Sequence, residues 1–293
     1  SYGNYTALKD ISIQVSEGGI FGLLGPNGAG KTSLIRIINQ ITLPDQGQVK
    51  FDNEALSPKH ISQIGYLPEE RGLYKNMKVG EQALYLSRLK GLSVAEARQS
   101  INHWFARFDI AHWTDKKISE LSKGMAQKVQ FIITLLHKLI ILDEPFSGFD
   151  PVNTDFIKKE ILMLKEQGTT IILSTHRMES VEELCDDIAL IHRSKVVVKG
   201  KLSEVRKQYK QQLHTVTLQT QSPDLLISKL NGSFSIIDKN FDSEEALLKL
   251  TVKNENDNNN QLIQTLSALA PIKHYKEIIP SVNDIFLQSV KEN

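Results

Sequence analysis

The stretch Gly25-Pro26-Asn27-Gly28-Ala29-Gly30-Lys31-Thr32 decides the fold, because it fits the phosphate-loop pattern G-x-x-x-x-G-K-[ST] at every fixed position. Small residues in such a loop let successive backbone N–H groups surround phosphate oxygens, and the helix that follows adds a favourable dipole. The apolar run Ile20 to Leu24 predicts a strand before the loop, and apolar residues at helical spacing predict a helix over Lys31 to Ile38. We therefore expect a nucleoside triphosphate site, with Lys31 on the outer phosphates and Thr32 on Mg²⁺.

Length, charge and cysteine content narrow the class of protein. The 293 residues give room for one large domain and a smaller one. The balance of 35 basic and 34 acidic residues predicts no nucleic-acid partner, since it creates no field that attracts a polyanion. Cys185 is the single cysteine, which favours a reducing cytosolic setting. The longest apolar stretch, Phe131 to Leu142, is interrupted by His137-Lys138 and falls short of the roughly 20 residues that a membrane-spanning helix needs.

Two further apolar runs lead to polar side chains that suit phosphate chemistry. The run Leu139 to Leu142 is followed by Asp143 and Glu144, as in a buried parallel strand that delivers carboxylates to its C-terminal tip. We expect Asp143 to hold Mg²⁺, largely through water, and Glu144 to orient and deprotonate the attacking water. The next predicted strand, Thr169 to Ser174, leads to His176, whose neutral imidazole can hydrogen-bond a γ-phosphate from that tip.

A helical segment separates the phosphate-loop helix from these carboxylates. Apolar residues at helical spacing predict helices from Val79 to about Phe108, joined at Gly91. Leu121-Ser122-Lys123-Gly124-Met125 then precedes another predicted helix that starts at about Ala126. We interpret residues 75–128 as a helical subdomain inserted between the two halves of the nucleotide-binding core.

The pattern changes beyond residue 212. The predicted elements are strand His214–Gln219, helix Pro223–Leu230, strand Phe234–Asp238, strand Leu247–Val252, helix Gln261–Ala270 and strand Ile272–Glu277. This βαββαβ order predicts a ferredoxin-like accessory domain over residues 213–293, after a nucleotide-binding domain over residues 1–212. No catalytic or metal-ligand pattern occurs in it. We interpret it as a regulatory or dimer-supporting module, with a purely stabilising appendage as the alternative.

The motifs, in their order along the chain, resemble those of the ATP-binding subunit of ABC transporters over about the first 210 residues. Gly25 to Thr32 resembles the Walker A loop of that family, Leu139 to Glu144 its Walker B strand, Leu121 to Met125 its signature sequence and Ser147 to Asp150 its D-loop. The resemblance implies an α/β fold with a P-loop NTPase core of ABC ATPase type and an inserted helical subdomain. The small α+β ferredoxin-like domain would follow that core.

The resemblance also implies roles for individual residues. The catalytic residues would be Glu144, His176 and Lys31. Those that bind ATP would be Tyr2, Gly25, Asn27, Gly28, Gly30, Lys31, Thr32, Ser33, Glu69, Ser122, Gly124 and Asp150, and those that bind Mg²⁺ would be Thr32 and Asp143. Tyr2, 29 positions before Lys31, would stack on the adenine ring, although its spacing alone equally fits a surface aromatic.

The family's mechanism implies two protein partners. In a sandwich dimer, ATP on the Walker A loop of one subunit is covered by the signature segment, Ser122 to Met125, of a second copy or a homologous subunit. An integral membrane permease would dock near Glu69 and residues 71–74, which places the chain in the cytoplasm on the inner face of the membrane. Hydrolysis of ATP would then drive export by that permease.

Three positions depart from the family pattern. Glu69 stands where Gln is usual, and this variant together with Leu121-Ser122-Lys123-Gly124 resembles the branch of sodium-extrusion-type and related bacterial exporters. Met125 replaces a usual polar residue, and the link His137-Lys138-Leu139 is about two residues shorter than usual. The last two departures leave a catalytically impaired nucleotide-sensing subunit as one alternative. A soluble ABC-type ATPase without a permease is a second alternative. The single phosphate loop and the absence of a heptad arm in the sequence argue against it.

Overall fold

The structure is a computed structural model that describes residues 1–69, 72–135, 137–230, 234–255 and 258–291. It divides into two compact units, residues 1–202 together with 288–293, and residues 203–287. The sequence expectation placed this boundary after residue 212. Within the described ranges, no helix combines the length and the apolar character that crossing a membrane requires.

The strands and helices follow one another in a largely alternating order. The strands are β1 (Ile20–Leu24), β2 (Lys50–Phe51), β3 (Glu54–Ala55), β4 (Ile64–Leu67), β5 (Leu139–Asp143), β6 (Thr170–Thr175), β7 (Asp187–His192), β8 (Lys195–Lys201), β9 (Leu213–Gln219), β10 (Ser235–Asp242), β11 (Leu247–Lys253) and β12 (Ile272–Glu277). The helices are α1 (Lys31–Ile38), α2 (Pro58–Ile61), α3 (Val79–Leu89), α4 (Val94–Arg107), α5 (Lys123–Thr134), α6 (Pro151–Glu166), α7 (Met178–Leu184), α8 (Leu202–Gln208), α9 (Pro223–Leu230), α10 (Asn259–Leu269) and α11 (Val282–Lys291).

A six-stranded sheet in the order β4-β5-β6-β1-β7-β8 forms the centre of the first unit. Its first five strands are parallel and β8 runs antiparallel to β7. Strands β1 and β5 are continuous apolar runs because parallel strands covered on both faces have no solvent side. Register pairs Leu24 with Thr175 and Asp143 with Ser174, so the carboxyl ends of β1, β5 and β6 meet at one edge.

The helical subdomain consists of α3, α4 and α5 with two short 3₁₀ turns between the last two. Ser93 caps α4, since its hydroxyl accepts the Glu96 N–H at 3.2 Å while the Glu96 carboxylate accepts the Ser93 N–H at 2.9 Å. The Phe108 ring lies 5.9 Å from that of Phe131 in α5 and 5.0 Å from that of Phe156 in α6. The contact between Phe108 and Phe156 joins the subdomain to the core.

Helix α5 starts at Lys123, three residues before the start predicted from the sequence. The Ser122 hydroxyl accepts the Met125 N–H at 3.3 Å and so acts as its N-cap. The signature segment is therefore the first turn of a helix.

The short link between α5 and β5 lies against Gly65 of β4. A Cβ atom at Gly65 would come within 2.2 Å of the Thr134 carbonyl oxygen, so only glycine allows this approach. The His137 Nδ1 atom lies 3.1 Å from the same oxygen. Leu136, which also lies between α5 and β5, is outside the described ranges.

The second unit holds a four-stranded antiparallel sheet in the order β10-β11-β9-β12. Together with α9 and α10 this is the ferredoxin-like βαββαβ arrangement, as predicted. Strands β9 and β11 alternate buried and more exposed residues, which gives the sheet one apolar face. The core between that face and the helices contains Val216, Leu218, Leu248, Leu250, Val252, Leu226, Leu230, Leu262 and Leu266.

Candidate nucleotide-binding site

The phosphate loop leaves β1 through Gly25, where the chain turns with φ 147°. A Cβ atom there would lie 2.2 Å from the Ile191 carbonyl oxygen of β7. At the other end, Gly30 has φ 114°, and its Cβ would lie 2.4 Å from the Ala7 carbonyl oxygen. Only glycine fits either position, because both the backbone conformation and the space exclude a side chain. Each end of the loop therefore packs against the backbone of another segment, at Ile191 and at Ala7.

Lys31 opens α1 and folds back over the loop. Its ammonium donates to the Gly25 carbonyl at 2.7 Å and to the Pro26 carbonyl at 3.2 Å. Burial lowers the pKa of Lys31, while the negative charges of Glu144, Asp143 and Glu69 act in the opposite direction. The side chain therefore reaches the loop's own oxygens, close to where phosphate oxygens would lie.

Asp143, at the tip of β5, is 2 % exposed and has two hydroxyl partners. Its Oδ1 accepts from the Ser174 hydroxyl at 2.7 Å, and its Oδ2 accepts from the Thr32 hydroxyl at 3.3 Å. Burial raises the pKa of Asp143, and both hydrogen bonds oppose that rise. A buried carboxylate beside the first hydroxyl of α1 is a donor set of hard oxygens, which suits Mg²⁺.

Glu144 follows in a left-handed conformation, with φ 50°, and is 7 % exposed. Its Oε1 accepts from the His176 backbone N–H at 2.9 Å and lies 2.7 Å from His176 Nδ1. Its Oε2 accepts from the Thr175 hydroxyl at 3.1 Å. A carboxylate can only accept, so Nδ1 carries the imidazole proton in this contact. Both carboxylate oxygens of Glu144 therefore accept hydrogen bonds from residues at the end of β6.

Two residues that form these contacts were not among the predicted site residues. Ser174 and Thr175 are both fully buried, and their hydroxyls bind the two carboxylates. The signal available in the sequence was a pair of hydroxyl residues at a strand tip, next to a histidine. Such a pair gives no indication of its partners until the pairing of β5 with β6 is known.

Glu69 and the loop apex are more open than the carboxylate pair. Glu69 is exposed, and its charge acts on both Lys31 and Asp143. Asn27 and Gly28 are exposed at the apex. Thr32 and Ser33 are partly buried. Arg71, part of the predicted permease contact, is outside the described ranges.

The turn before the core brings a further aromatic residue to the loop. Tyr2 is 48 % exposed, and two backbone hydrogen bonds of 2.8 and 3.0 Å join it to Tyr5. The Tyr5 hydroxyl donates to the Gly28 carbonyl at 3.0 Å. Tyr5 is not among the predicted site residues, and its only signal in the sequence is a second tyrosine close to Tyr2.

The signature segment and the D-loop form a second group. A Cβ atom on Gly124 would lie 3.7 Å from the Gly148 carbonyl oxygen, an ordinary contact distance. Asp150 caps α6 by accepting the Asn153 N–H at 2.9 Å, and this hydrogen bond lowers the pKa of Asp150. No hydrogen bond among the described residues joins Ser122, Gly124 or Asp150 to the phosphate loop. The structure therefore separates the predicted site residues into two groups.

Three family profiles match parts of the chain. The profile of the family described as "ABC transporter" matches residues 8–147. A profile described as "ATP-binding protein DrrA1-3-like, C-terminal domain" matches residues 200–290. A third profile, an AAA domain described as a putative AbiEii toxin of a type IV toxin–antitoxin system, matches residues 115–182 and overlaps the first.

Individual relatives extend the match to nearly the whole chain. The uncharacterized ABC transporter ATP-binding protein YhaQ of Bacillus subtilis is 39 % identical over 292 residues, which are 99 % of this chain and 95 % of that protein. NatA, an ABC transporter ATP-binding protein of the same organism, is 35 % identical over 205 residues, covering 68 % of this chain and 83 % of NatA. A solved structure titled as the ATP-binding subunit of an ABC transporter superposes with a TM-score of 0.67 at 30 % identity, covering 71 % of this chain and 89 % of that one. The chain belongs to the ATP-binding proteins of ABC transporters, a family of ATPases, and its first unit has the P-loop fold of that family.

Proposed function

We propose that this chain is the motor subunit of an ABC exporter, which binds MgATP between two subunits and couples hydrolysis to transport by a separate permease. The observation that carries the proposal is the meeting of Lys31, Asp143, Glu144 and His176 at one edge of the sheet. A phosphate loop, a metal-binding carboxylate, a base and a hydrogen-bond donor are the parts that ATP hydrolysis needs.

The loop would bind the phosphates of ATP. Its backbone N–H groups and the N-terminus of α1 favour negative charge, and Lys31 would exchange the Gly25 and Pro26 carbonyls for phosphate oxygens. Tyr2 would stack on the adenine ring. The remaining contacts from the loop would come from Gly25, Asn27, Gly28, Gly30 and Ser33.

Thr32 and Asp143 would hold Mg²⁺. The Thr32 hydroxyl and the Asp143 carboxylate already lie 3.3 Å apart, and both offer oxygen ligands. When bound there, Mg²⁺ would neutralise charge on the outer phosphates. Ser174 would keep Asp143 oriented through its 2.7 Å hydrogen bond.

Glu144 would act as the general base. It would orient a water molecule and accept its proton at Oε2, which accepts one hydrogen bond from the described residues, that of the Thr175 hydroxyl, and so keeps an acceptor site. His176 would then donate to the γ-phosphate. Lys31 would stabilise the charge that develops on the transferred phosphoryl group, and Glu69 would face the same site from its exposed loop.

The second group of residues would complete the site of another subunit. Ser122 offers a hydroxyl, Gly124 permits close backbone approach, and the positive end of the α5 dipole lies at that turn. Asp150 would lie at the same interface. Within the described residues, this group makes no hydrogen bond to the phosphate loop of its own chain. This supports a role in closing the site of a second copy or of a homologous ATPase subunit.

Membership of the family, and the resemblance at Glu69 and the signature segment, support the proposed coupling to a membrane permease, the direction of transport and the location. The chain would lie in the cytoplasm, peripheral to the membrane through its permease. The ferredoxin-like unit would regulate the ATPase or support its dimer.

The test is to co-express the chain with a candidate ABC permease from the same genome. We expect the two to co-purify in detergent, and ATP hydrolysis by the reconstituted complex to exceed that of the chain alone severalfold. A complex that carries Glu144→Gln is the matched control for contaminating ATPases. Vigorous hydrolysis by the chain alone, with no association and no stimulation, would favour the soluble ATPase instead.

A further inference from the structure

We propose that Tyr5 is a positioning residue that fixes the adenine platform, Tyr2, at a set distance from the phosphate loop; this inference rests on the proposed ATP site. The Tyr5 hydroxyl donates to the Gly28 carbonyl at 3.0 Å, across 23 residues of sequence. Gly28 is at the exposed apex of the loop, where an added Cβ atom would meet no described atom within 4 Å. The hydrogen bond from Tyr5 therefore reaches the most loosely packed part of the loop. Neither the phosphate-loop pattern nor the carboxylate pair involves Tyr5.

Tyr2 and Tyr5 belong to one tight turn. The Tyr2 N–H donates to the Tyr5 carbonyl at 2.8 Å, and the Tyr5 N–H donates to the Tyr2 carbonyl at 3.0 Å. Gly3 within the turn has φ 56°. The backbone at Tyr2 and Tyr5 is therefore locked together, and a restraint on Tyr5 is also a restraint on Tyr2.

The chain that follows the turn is fixed independently. The Thr6 carbonyl accepts from the Ser194 hydroxyl at 2.6 Å, and the Ser194 carbonyl accepts the Lys9 N–H at 2.7 Å. The Ala7 carbonyl lies against Gly30 at the start of α1. These contacts place the segment beside the loop, but they begin at Thr6. Among the described residues, the Tyr5 hydroxyl makes the side-chain hydrogen bond that joins the turn to the loop.

ATP would occupy both ends of this link at once, with adenine on Tyr2 and phosphates on the loop. Tyr5 would hold the two subsites at the spacing of one nucleotide before ATP arrives, which lowers the entropy lost on binding. The inferred effect applies only to ligands that carry the base. A ligand with phosphates alone would not use the Tyr2 platform.

Tyr5→Phe removes the donor and keeps the ring. We expect the dissociation constant and KM for MgATP to rise by about three- to tenfold, the usual net effect of one hydrogen bond, with kcat unchanged. The affinity for Mg-tripolyphosphate, which has no base, should stay the same. Tyr85→Phe is the matched control, since Tyr85 is 43 % exposed and its hydroxyl makes no hydrogen bond with the described residues.

A double-mutant cycle separates positioning from a purely local effect. If Tyr5 acts through Tyr2, then Tyr5→Phe should cost no further ATP affinity in a Tyr2→Ala background. Equal losses for ATP and tripolyphosphate, or an unchanged ATP affinity in Tyr5→Phe, would overturn the inference while leaving the proposed function intact. A wild-type chain that binds no ATP would overturn the proposed function and the inference with it.

Discussion

Glu144→Gln is expected to lower kcat for ATP hydrolysis by at least about 100-fold, within the range of about 10²–10⁴ that general bases contribute. The amide preserves the size of the side chain, and its oxygen still accepts the His176 N–H at Oε1, but it cannot take a proton from water. Binding of ATP depends on the loop and should change by less than about twofold. Steady-state hydrolysis and equilibrium binding of the same preparation measure the two effects.

Glu166→Gln provides the control for that variant, because Glu166 is an exposed carboxylate at the end of α6, outside the site. It should hydrolyse ATP at the wild-type rate. Should Glu144→Gln keep more than a tenth of wild-type turnover, Glu144 would not be the base, and another group at the site would have to accept the proton.

Lys31→Ala is expected to weaken ATP binding by about 100-fold, since a buried ammonium that contacts phosphate oxygens contributes charge-assisted hydrogen bonds of about 1.5–3 kcal/mol. The substitution also leaves the Gly25 and Pro26 carbonyls without the donor that now satisfies them. Titration with ATP by isothermal calorimetry measures the loss directly.

Arg36→Ala tests whether that loss is specific. Arg36 is an exposed cation in the last turn of the same helix, so its removal changes the net charge by the same amount. Its ATP affinity should stay near that of the wild type. Equal losses in both variants would show that Lys31 acts through long-range charge and makes no specific contact with phosphate.

The local features of the site could be predicted because each lies within a short stretch of sequence. The glycines of the loop are required by backbone conformation, as the positive φ values of Gly25 and Gly30 show. The apolar run before Asp143 predicted a buried strand, because a parallel strand covered on both faces contains few polar residues. The ferredoxin-like order followed from alternating periodicities in the same way.

Contacts between distant segments could not be predicted in this way. Ser174 binds Asp143 because β5 and β6 are neighbouring strands that pair these two residues. The sequence of either strand does not indicate which strand lies beside it. The bond from Tyr5 to Gly28 likewise depends on how the first residues run beside the loop. The early start of α5 has a local cause, because the Ser122 hydroxyl caps the helix ahead of its apolar periodicity.

In the proposed dimer, MgATP is enclosed between the phosphate loop of one subunit and the signature segment of another. Gly124→Asp tests this arrangement well, because an acidic residue in the first turn of α5 favours the helix but repels a γ-phosphate. Its Cβ would meet the Gly148 carbonyl at 3.7 Å, so the monomer can accommodate it. The substitution should therefore affect association without unfolding the chain.

The most direct measurement is sedimentation velocity of the 293-residue chain with Glu144→Gln, alone and combined with Gly124→Asp, with and without saturating MgATP. We expect Glu144→Gln to become a dimer only when MgATP is present, and the double variant to bind ATP but stay monomeric. A Glu144→Gln protein that binds ATP as a monomer, or a dimer that survives Gly124→Asp, would contradict this arrangement.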